Sequence, residues 1–350
     1  MDRKTVLVTG TGGRSVGSGI VHALKRTTKE VGSRWRVIAA DADPFAWGLY
    51  KADHGVVVPM AKDPKYIPEI LRLVKLHNID AIIPGTEVEI DILLENNDVL
   101  SPAVVIANRK ALLPLMLDKF ATAEKLKQLG YNVIPTVPLE EWQQLLEEHD
   151  FPFIVKPTQS TGGSKGLHLV SCKEDLFRLL PTFDRNTSPC IQPYIGSSES
   201  EYTVGVISDF NGKVIDSIVM RRKLIGLSLL NSFKLGLRKY EVSTGYSQGF
   251  IIKDDGIQSF CESLALDLGS VGPLNIQLRI DEKTGEPYVF EIHPRFSGTT
   301  PIRADVGLNE VDILLRNKLF SESFDRQNYR YDVAAIRAFE HVIVPIEDLV

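Results

Sequence analysis

Residues 275–296 read NIQLRIDEKTGEPYVFEIHPRF: two apolar runs joined by a short polar connection that contains a glycine, the pattern of a β-hairpin. Side chains alternate between faces along a strand, so Glu291, His293 and Arg295, at every second position, look the same way. Gln277 on the first strand joins them across the hairpin. Oxygen donors suit Mg²⁺, and the imidazole admits Mn²⁺ or Zn²⁺ as well, so Gln277, Glu291 and His293 form a candidate metal site. The plain alternative is a set of polar groups that satisfy one another at a sheet edge.

Two more hairpins lie upstream. EYTVGVISD (201–209) pairs with KVIDSIVMR (213–221) across Phe210-Asn211-Gly212, and PFIVKP (152–157) pairs with GLHLVS (166–171) across a Gly/Ser/Thr loop. The first third of the chain has a different rhythm. The strand-like runs KTVLVTG (4–10), WRVIAAD (35–41), HGVVVP (54–59), DAIIPG (80–85) and AVVIAN (103–108) alternate with helix-like stretches at 17–31, 66–79 and 89–100. That alternation argues for a parallel sheet covered by helices. The rhythm changes near 110–120, where residues 112–130 read as one helix ended by Gly130. The expected boundary is therefore near residue 112, between a unit of 1–112 and an α+β, antiparallel unit of 113–350.

At 350 residues with 43% hydrophobic and 24% charged residues, the composition is that of a globular protein. A net charge of −5 gives no support to nucleic-acid binding or to an anionic membrane surface. Three scattered cysteines without CxxC spacing argue against a disulfide framework or a zinc knuckle. With no apolar leader or membrane-length run, the expected location is cytoplasmic.

Two glycine clusters invite phosphate chemistry. GTGGRSVGSG (10–19) follows a strand and opens a helix, and Asp41 ends the next strand, but Ser15 stands where the third glycine of a dinucleotide fingerprint belongs. A dinucleotide oxidoreductase therefore rests on little. FIVKPTQSTGGSKGLHLV (153–170) is not a Walker loop. A lysine nevertheless ends its first strand, and a flexible loop with Gly162 and Gly163 follows, able to fold over phosphates. A mobile surface hairpin is the bland reading. In CIQPYIGSSESEYTV (190–204), Gln192 and the backbone around Tyr194 and Ile195 can line a nucleobase slot, with Glu201 accepting from ribose hydroxyls.

Taken in order, these pieces resemble the ATP-grasp superfamily of carboxylate ligases over nearly the whole chain, most like a single synthetase unit of the carbamoyl-phosphate synthase large-subunit type. The resemblance implies an α/β leading domain with a Rossmann-like parallel sheet, followed by an α+β ATP-grasp domain. That domain would have a small lid subdomain at about 120–192 and a larger antiparallel subdomain at about 193–350. It implies ATP and Mg²⁺ (or Mn²⁺) as cofactors, with Lys119 and Lys156 on the nucleotide phosphates and Gly162 and Gly163 in the phosphate loop. Gln192, Tyr194 and Ile195 would meet adenine, Glu201 the ribose, and Gln277, Glu291 and His293 the metal, while Arg295 would stabilise the transferring phosphate. The activity implied is an ATP-dependent carbon–nitrogen ligase that activates a carboxylate as an acyl phosphate for attack by an amine or ammonia. Closure of loop 158–166 would keep water from that intermediate.

The sequence departs from the family in three places. The metal motif, commonly E-x-N-P-R, is E-I-H-P-R here; Gly298 stands where carbamoyl-phosphate synthase units carry a further arginine; and residues 221–250 match nothing. Those departures keep a catalytically weak, regulatory nucleotide-binding module open as an alternative. Arg303, with its planar fork, is a candidate for holding the substrate carboxylate, or an ordinary surface arginine. Glu87 and Glu89 are candidates for an amino group, or acids favoured at a helix start; the helix start is the preferred reading. Arg14 sits in the first glycine loop and can face the same cleft. The expected partners are small molecules, a carboxylate and an amine, with no nucleic acid and no membrane; a homodimer is allowed but not fixed.

Overall fold

Apolar runs such as Val6–Val8 and Val37–Ala40 are wholly buried because the strands that carry them are covered on both faces. In the computed structural model, which describes residues 3–30, 34–158, 166–183, 189–235 and 237–350, these runs build a parallel sheet. Its strands are β1 (Lys4–Thr9), β2 (Trp35–Asp41), β3 (His54–Val57), β4 (Ala81–Ile83) and β5 (Val104–Val105), in the order β3-β2-β1-β4-β5. Helices α1 (Val16–Glu30), α2 (Tyr66–His77) and α3 (Glu87–Glu95) cover it. The order reverses between β1 and β4, and the loops that leave these two strands meet at their carboxyl ends, where open α/β sheets take ligands.

The glycines there are explained by packing. A Cβ on Gly17 would lie 2.4 Å from the carbonyl oxygen of Gly10, and one on Gly85 would lie 2.1 Å from that of Thr9. Glu89 closes the same corner. Its carboxylate accepts from the Thr86 backbone N–H at 3.1 Å and from Tyr66 Oη at 3.1 Å, so it caps the start of α3. Burial pushes its carboxyl above the ordinary range. Glu89 thus takes the helix-start role.

Residues 112–130 are not one helix. The chain forms α4 (Leu113–Leu117), breaks at Asp118 in an extended conformation, and restarts as α5 (Lys119–Gln128). The Asp118 carboxylate accepts from the N–H groups of Phe120 at 2.8 Å and Ala121 at 3.3 Å. An aspartate that caps the following turn gives up its own helical geometry to do so.

A four-stranded sheet follows, in the order β6-β9-β7-β8, from β6 (Val137–Pro138), β7 (Phe153–Pro157), β8 (His168–Val170) and β9 (Pro189–Pro193). It packs with α6 (Lys173–Leu179) around Trp142, Phe153, Leu176 and Ile191. The last part is a six-stranded sheet, β16-β15-β10-β11-β14-β17. Its strands are β10 (Glu201–Ser208), β11 (Val214–Arg222), β14 (Gly249–Ile252), β15 (Gly272–Ile280), β16 (Pro287–His293) and β17 (Val333–Ala335). A separate ribbon, β12 (Leu229–Leu235) with β13 (Arg238–Ser243), projects between β11 and β14. Helix α7 (Asp255–Asp267) covers one face of the sheet, and α8 (Thr300–Val306) and α9 (Glu310–Phe320) follow β16. The three hairpins expected from the sequence all form.

The leading sheet is joined to the large sheet by packing and polar contacts. Gly19 of α1 lies against Pro301 of α8, where a Cβ would come within 2.8 Å of the proline ring. Asp305 receives Arg26 at 2.9 Å, and Trp35 Nε1 donates to Asp312 at 2.7 Å. One apolar core runs through both, from Ile20 and Leu24 to Leu308 and Leu314. Among the described residues, no helix is long and apolar enough to cross a membrane.

Candidate functional site

Strand alternation alone does not place the residues of β16. Leu278 pairs with Val289 and Gln277 with Glu291, so Phe290 is an extra residue, a β-bulge. The bulge changes the parity of the strand: Val289 and Ile292, three apart, both enter the core, while Phe290, Glu291 and His293 line a cavity. It is a cleft of about 830 Å³ that reaches from the four-stranded sheet, across the large sheet, to the loops after β1 and β4.

Gln277, Glu291 and His293 lie side by side. Glu291 Oε2 accepts from Gln277 Nε2 at 3.2 Å and lies 3.0 Å from His293 Nε2. Burial alone would raise the Glu291 carboxyl. The hydrogen bond and charge of His293, with Lys156 and Lys119 behind them, outweigh it and hold the group at about 2. An ionised carboxylate only accepts, so Nε2 donates in this contact, which leaves Nδ1 as the other polar atom of the ring. That Nδ1 is buried and has no partner among the described residues. With Nε2 turned to Glu291, Nδ1 points off the opposite side of the ring, so the two side chains as placed do not share one ion; Glu291 offers the carboxylate for a divalent cation, with the Gln277 amide beside it. Among the described residues, no group of three or more His, Cys, Asp or Glu is arranged to hold a metal alone. That suits an ion whose remaining shell comes from phosphates and water.

Two lysines face these acids. Lys156, on β7, is buried, and no hydrogen bond or ion pair satisfies its ammonium among the described residues. Burial lowers its pKa from 10.5 to about 8. Lys119, at the start of α5, reaches the Thr158 carbonyl at 3.5 Å. Gln192 lines the cleft and donates to Thr136 at 2.6 Å, and Ile195 lines it too. Gly162 and Gly163, with most of the loop expected to close over the site, lie outside the described residues.

The side chains of Tyr194 and Glu201 are both held by other parts of the protein. The Tyr194 ring turns away from the cleft: its hydroxyl donates to the Glu241 carbonyl at 2.8 Å, and the Arg279 guanidinium stacks on it at 4.2 Å. Glu201 lines the cleft, but both of its oxygens are engaged by arginines. Arg222 donates to Oε1 at 2.8 Å and Arg279 to Oε2 at 2.6 and 3.0 Å. Register explains the triad, because Glu201 lies opposite Arg279 on β15, and Tyr202 opposite Arg221 leaves Arg222 beside Glu201.

Arg303 is not a cleft residue. It is 3% exposed, and its fork is filled by Glu310 at 3.0 and 3.3 Å and by Asn275 Oδ1 at 2.6 Å. It lies flat over Gly205, where a Cβ would fall 2.1 Å from Nη1. Gly205→Ala should push the guanidinium off Glu310 and lose on the order of 3 kcal/mol in denaturant unfolding; unchanged stability would show that the pair can move aside.

Arg295 lines the cleft and ties the two sheets together, donating to Glu87 at 2.8 Å and to the Phe296 carbonyl at 2.8 Å, with its Nε buried and unpaired among the described residues. Glu87 is thus an ion-pair partner across the cleft, and Arg14 also lines it. Residues 221–250, unplaced from sequence, supply a wall: Leu227, Val242 and Thr244–Ser247 border the cleft. Arg222 holds that wall through the carbonyls of Thr244 at 2.8 Å and Tyr246 at 2.9 Å.

An ATP-grasp domain family matches residues 116–299, and a PylC-like N-terminal domain family matches residues 6–107. Carbamoyl phosphate synthase large chains of Neisseria meningitidis serogroup B and Neisseria gonorrhoeae are 23% and 22% identical over 311 residues, 86% of this chain. The chain spans 28% of the length of those relatives. The N5-carboxyaminoimidazole synthetase of Staphylococcus aureus, complexed with ADP, superposes with a TM-score of 0.65 at 17% identity, covering 93% of this chain and 80% of that one. The biotin carboxylase domain of Hydrogenobacter thermophilus 2-oxoglutarate carboxylase gives 0.64 at 18% identity, with coverage of 95% and 73%. That structure contains MgADP, ADP and bicarbonate. At these identities the structural likeness speaks for the fold.

Proposed function

The chain belongs to the ATP-grasp family, and from that premise we propose that it is an ATP-dependent ligase that activates a carboxylate as an acyl phosphate for capture by an amine or ammonia. The observation that carries this reading is the cleft itself: a buried lysine without a partner among the described residues faces an ionised carboxylate that has an imidazole and an amide beside it. Cation and metal donors on facing walls are what a nucleotide polyphosphate requires. The structural relatives solved with ADP, one of them with magnesium and bicarbonate, support the same use of the cleft.

In this reading the chain divides near residue 112. Gln192 and Ile195 line the nucleobase end, and Lys119 and Lys156 hold phosphates. Glu291, with Gln277 and His293 beside it, would hold Mg²⁺ or Mn²⁺, which would supply charge to offset that of the phosphates. Glu201 acts mainly as the anchor of Arg222 and Arg279. A carboxylate oxygen of the acid attacks the γ-phosphorus, the bond to the β-phosphate oxygen breaks, and ADP leaves. Arg295 faces the charge that develops on the transferring group. The amine lone pair then attacks the acyl carbon, phosphate departs, and the surplus proton passes to water. Likeness to carbamoyl phosphate synthase large chains over 86% of this chain supports a synthetase unit of that general kind.

Hydroxylamine in place of the amine tests the chemistry. With MgATP and a panel of carboxylic acids, one acid should yield its hydroxamate with ADP in equal amount, because hydroxylamine traps acyl phosphates. ATP binding without hydroxamate or ADP from any acid would leave a regulatory nucleotide-binding module.

A further inference from the structure

Residues 300–350 lie beyond both family matches, yet the chain returns to the cleft there. Strand β17 adds to the edge of the large sheet, Val333 opposite Ile251 and Ala335 opposite Gly249, and the next residues pass over the cleft, so Arg337 and Phe339 line it. Arg337 Nη2 donates to the carbonyl of Gly298, three residues past Arg295, and its backbone N–H reaches Gln248 Oε1 at 3.4 Å. Its Nε is shut off from solvent without a partner, and no carboxylate pairs with it among the described residues. Burial pulls its pKa below the ordinary arginine value, and the charge of Arg222 acts in the same direction.

A half-buried guanidinium whose Nε is shut off from solvent, with no anion beside it among the described residues, is an unfavourable arrangement unless something supplies the charge. The strap does not need Arg337 for its own fixation, because β17 is already paired with β14 and the Asp332 N–H donates to the Ile251 carbonyl at 2.7 Å. Beside it, Tyr246 and Phe339 meet edge to face at 6.5 Å, an apolar flank for whatever the arginine holds.

We propose that Arg337 binds the carboxylate of the acid to be activated, and that Tyr246 and Phe339 receive an apolar or aromatic body attached to it. This rests on the ligase reading above, with the C-terminal strap as the element that selects the acid. The planar fork can engage both carboxylate oxygens.

The test is equilibrium binding of benzoate, phenylacetate and acetate, by ligand-observed NMR titration, to the full chain with MgADP present. Wild type should bind the aromatic acids more tightly than acetate. R337Q, which keeps a donor for the Gly298 carbonyl, should bind them about tenfold or more weakly, in line with loss of a charge-assisted hydrogen bond. R337K should recover part of the loss, and both variants should keep MgADP affinity within about twofold and melt as wild type does, since no acid pairs with the residue. Equal loss of MgADP affinity in R337Q would assign Arg337 to the nucleotide phosphates and overturn the proposal. So would carboxylate binding that is undetectable in wild type or unchanged in R337Q. Failure of wild type to bind MgADP would instead strike the ligase reading, and the carboxylate titration repeated without nucleotide would still decide Arg337.

Discussion

Glu201→Ala will lose roughly 3–5 kcal/mol of unfolding free energy, because it strands two guanidinium groups inside the protein. Arg222 is 2% exposed and Arg279 is 5% exposed, and Glu201 is their shared anion. Both arginines also donate to carbonyl oxygens, Thr244 and Tyr246 for Arg222, Ile195 and Glu241 for Arg279, and Arg279 stacks on Tyr194. Those oxygens belong to two walls of the cleft, so the variant should also weaken ATP binding among the molecules that remain folded. Glu201→Gln keeps the shape and should lose less. Combining it with Arg222→Met should be less damaging than the sum of the two single changes, since the second removes a charge the first has orphaned. Denaturant unfolding of the four proteins closes the cycle, and additive losses would show that the carboxylate is not the common anchor.

The same triad sets a pH dependence. Burial would raise the Glu201 carboxyl, but Arg279 and Arg222 outweigh it and hold it below the ordinary carboxylate range. A depressed folded-state pKa gives stability that is present above the unfolded value and is lost as pH falls through the folded one. Wild type should therefore shed this contribution only in acid below the ordinary carboxylate range, and Glu201→Gln should lack that part of the acid limb.

The hairpin pattern and the βαβ rhythm were legible because they depend on residue type and period alone: Phe210-Asn211-Gly212 sets one hairpin, and the apolar runs Val6–Val8 and Val37–Ala40 at the centres of β1 and β2 set a sheet covered on both sides. The site was legible where one strand carried it, as with Glu291 and His293. It was not legible where partners come from elements far apart in sequence. Arg222 and Arg279 flank Glu201 only through the registers of two separate strand pairs; counting outward from the turn at 209–213 puts Arg221 opposite Glu201, and only the register shift between Ile207 and Ser208 brings Arg222 there. Arg303 read as a free fork or a surface arginine because nothing local announces that Glu310, at the start of the next helix, fills it. Phe290 as a bulge, which turns Glu291 toward the cleft while Ile292 stays in the core, is a packing result, since either parity satisfies an alternating pattern.

Lys156→Met should stabilise the protein and disable it together. The drop in the lysine pKa from 10.5 to about 8 corresponds to roughly 3 kcal/mol held against the folded state. The sign follows from proton counting: between about 8 and 10.5 the unfolded chain binds the proton and the folded one does not, so ligand-free wild type gains stability as pH rises through that window. Below it both states are protonated and the whole penalty is present. Methionine has the length to fill the same volume without the charge. The variant should therefore exceed wild type by up to about 3 kcal/mol near neutrality, with the gap closing as pH climbs. On the proposed reading, MgATP affinity should meanwhile fall by on the order of a hundredfold, because a desolvated cation–phosphate contact is removed. Wild type should take up a proton on binding MgATP near pH 8, seen as a buffer-dependent calorimetric heat, and the variant should not. A Lys156→Met protein that is less stable at every pH, or that binds MgATP as wild type does, would mean that the ammonium has an anionic partner in the free protein and is not held open for phosphate.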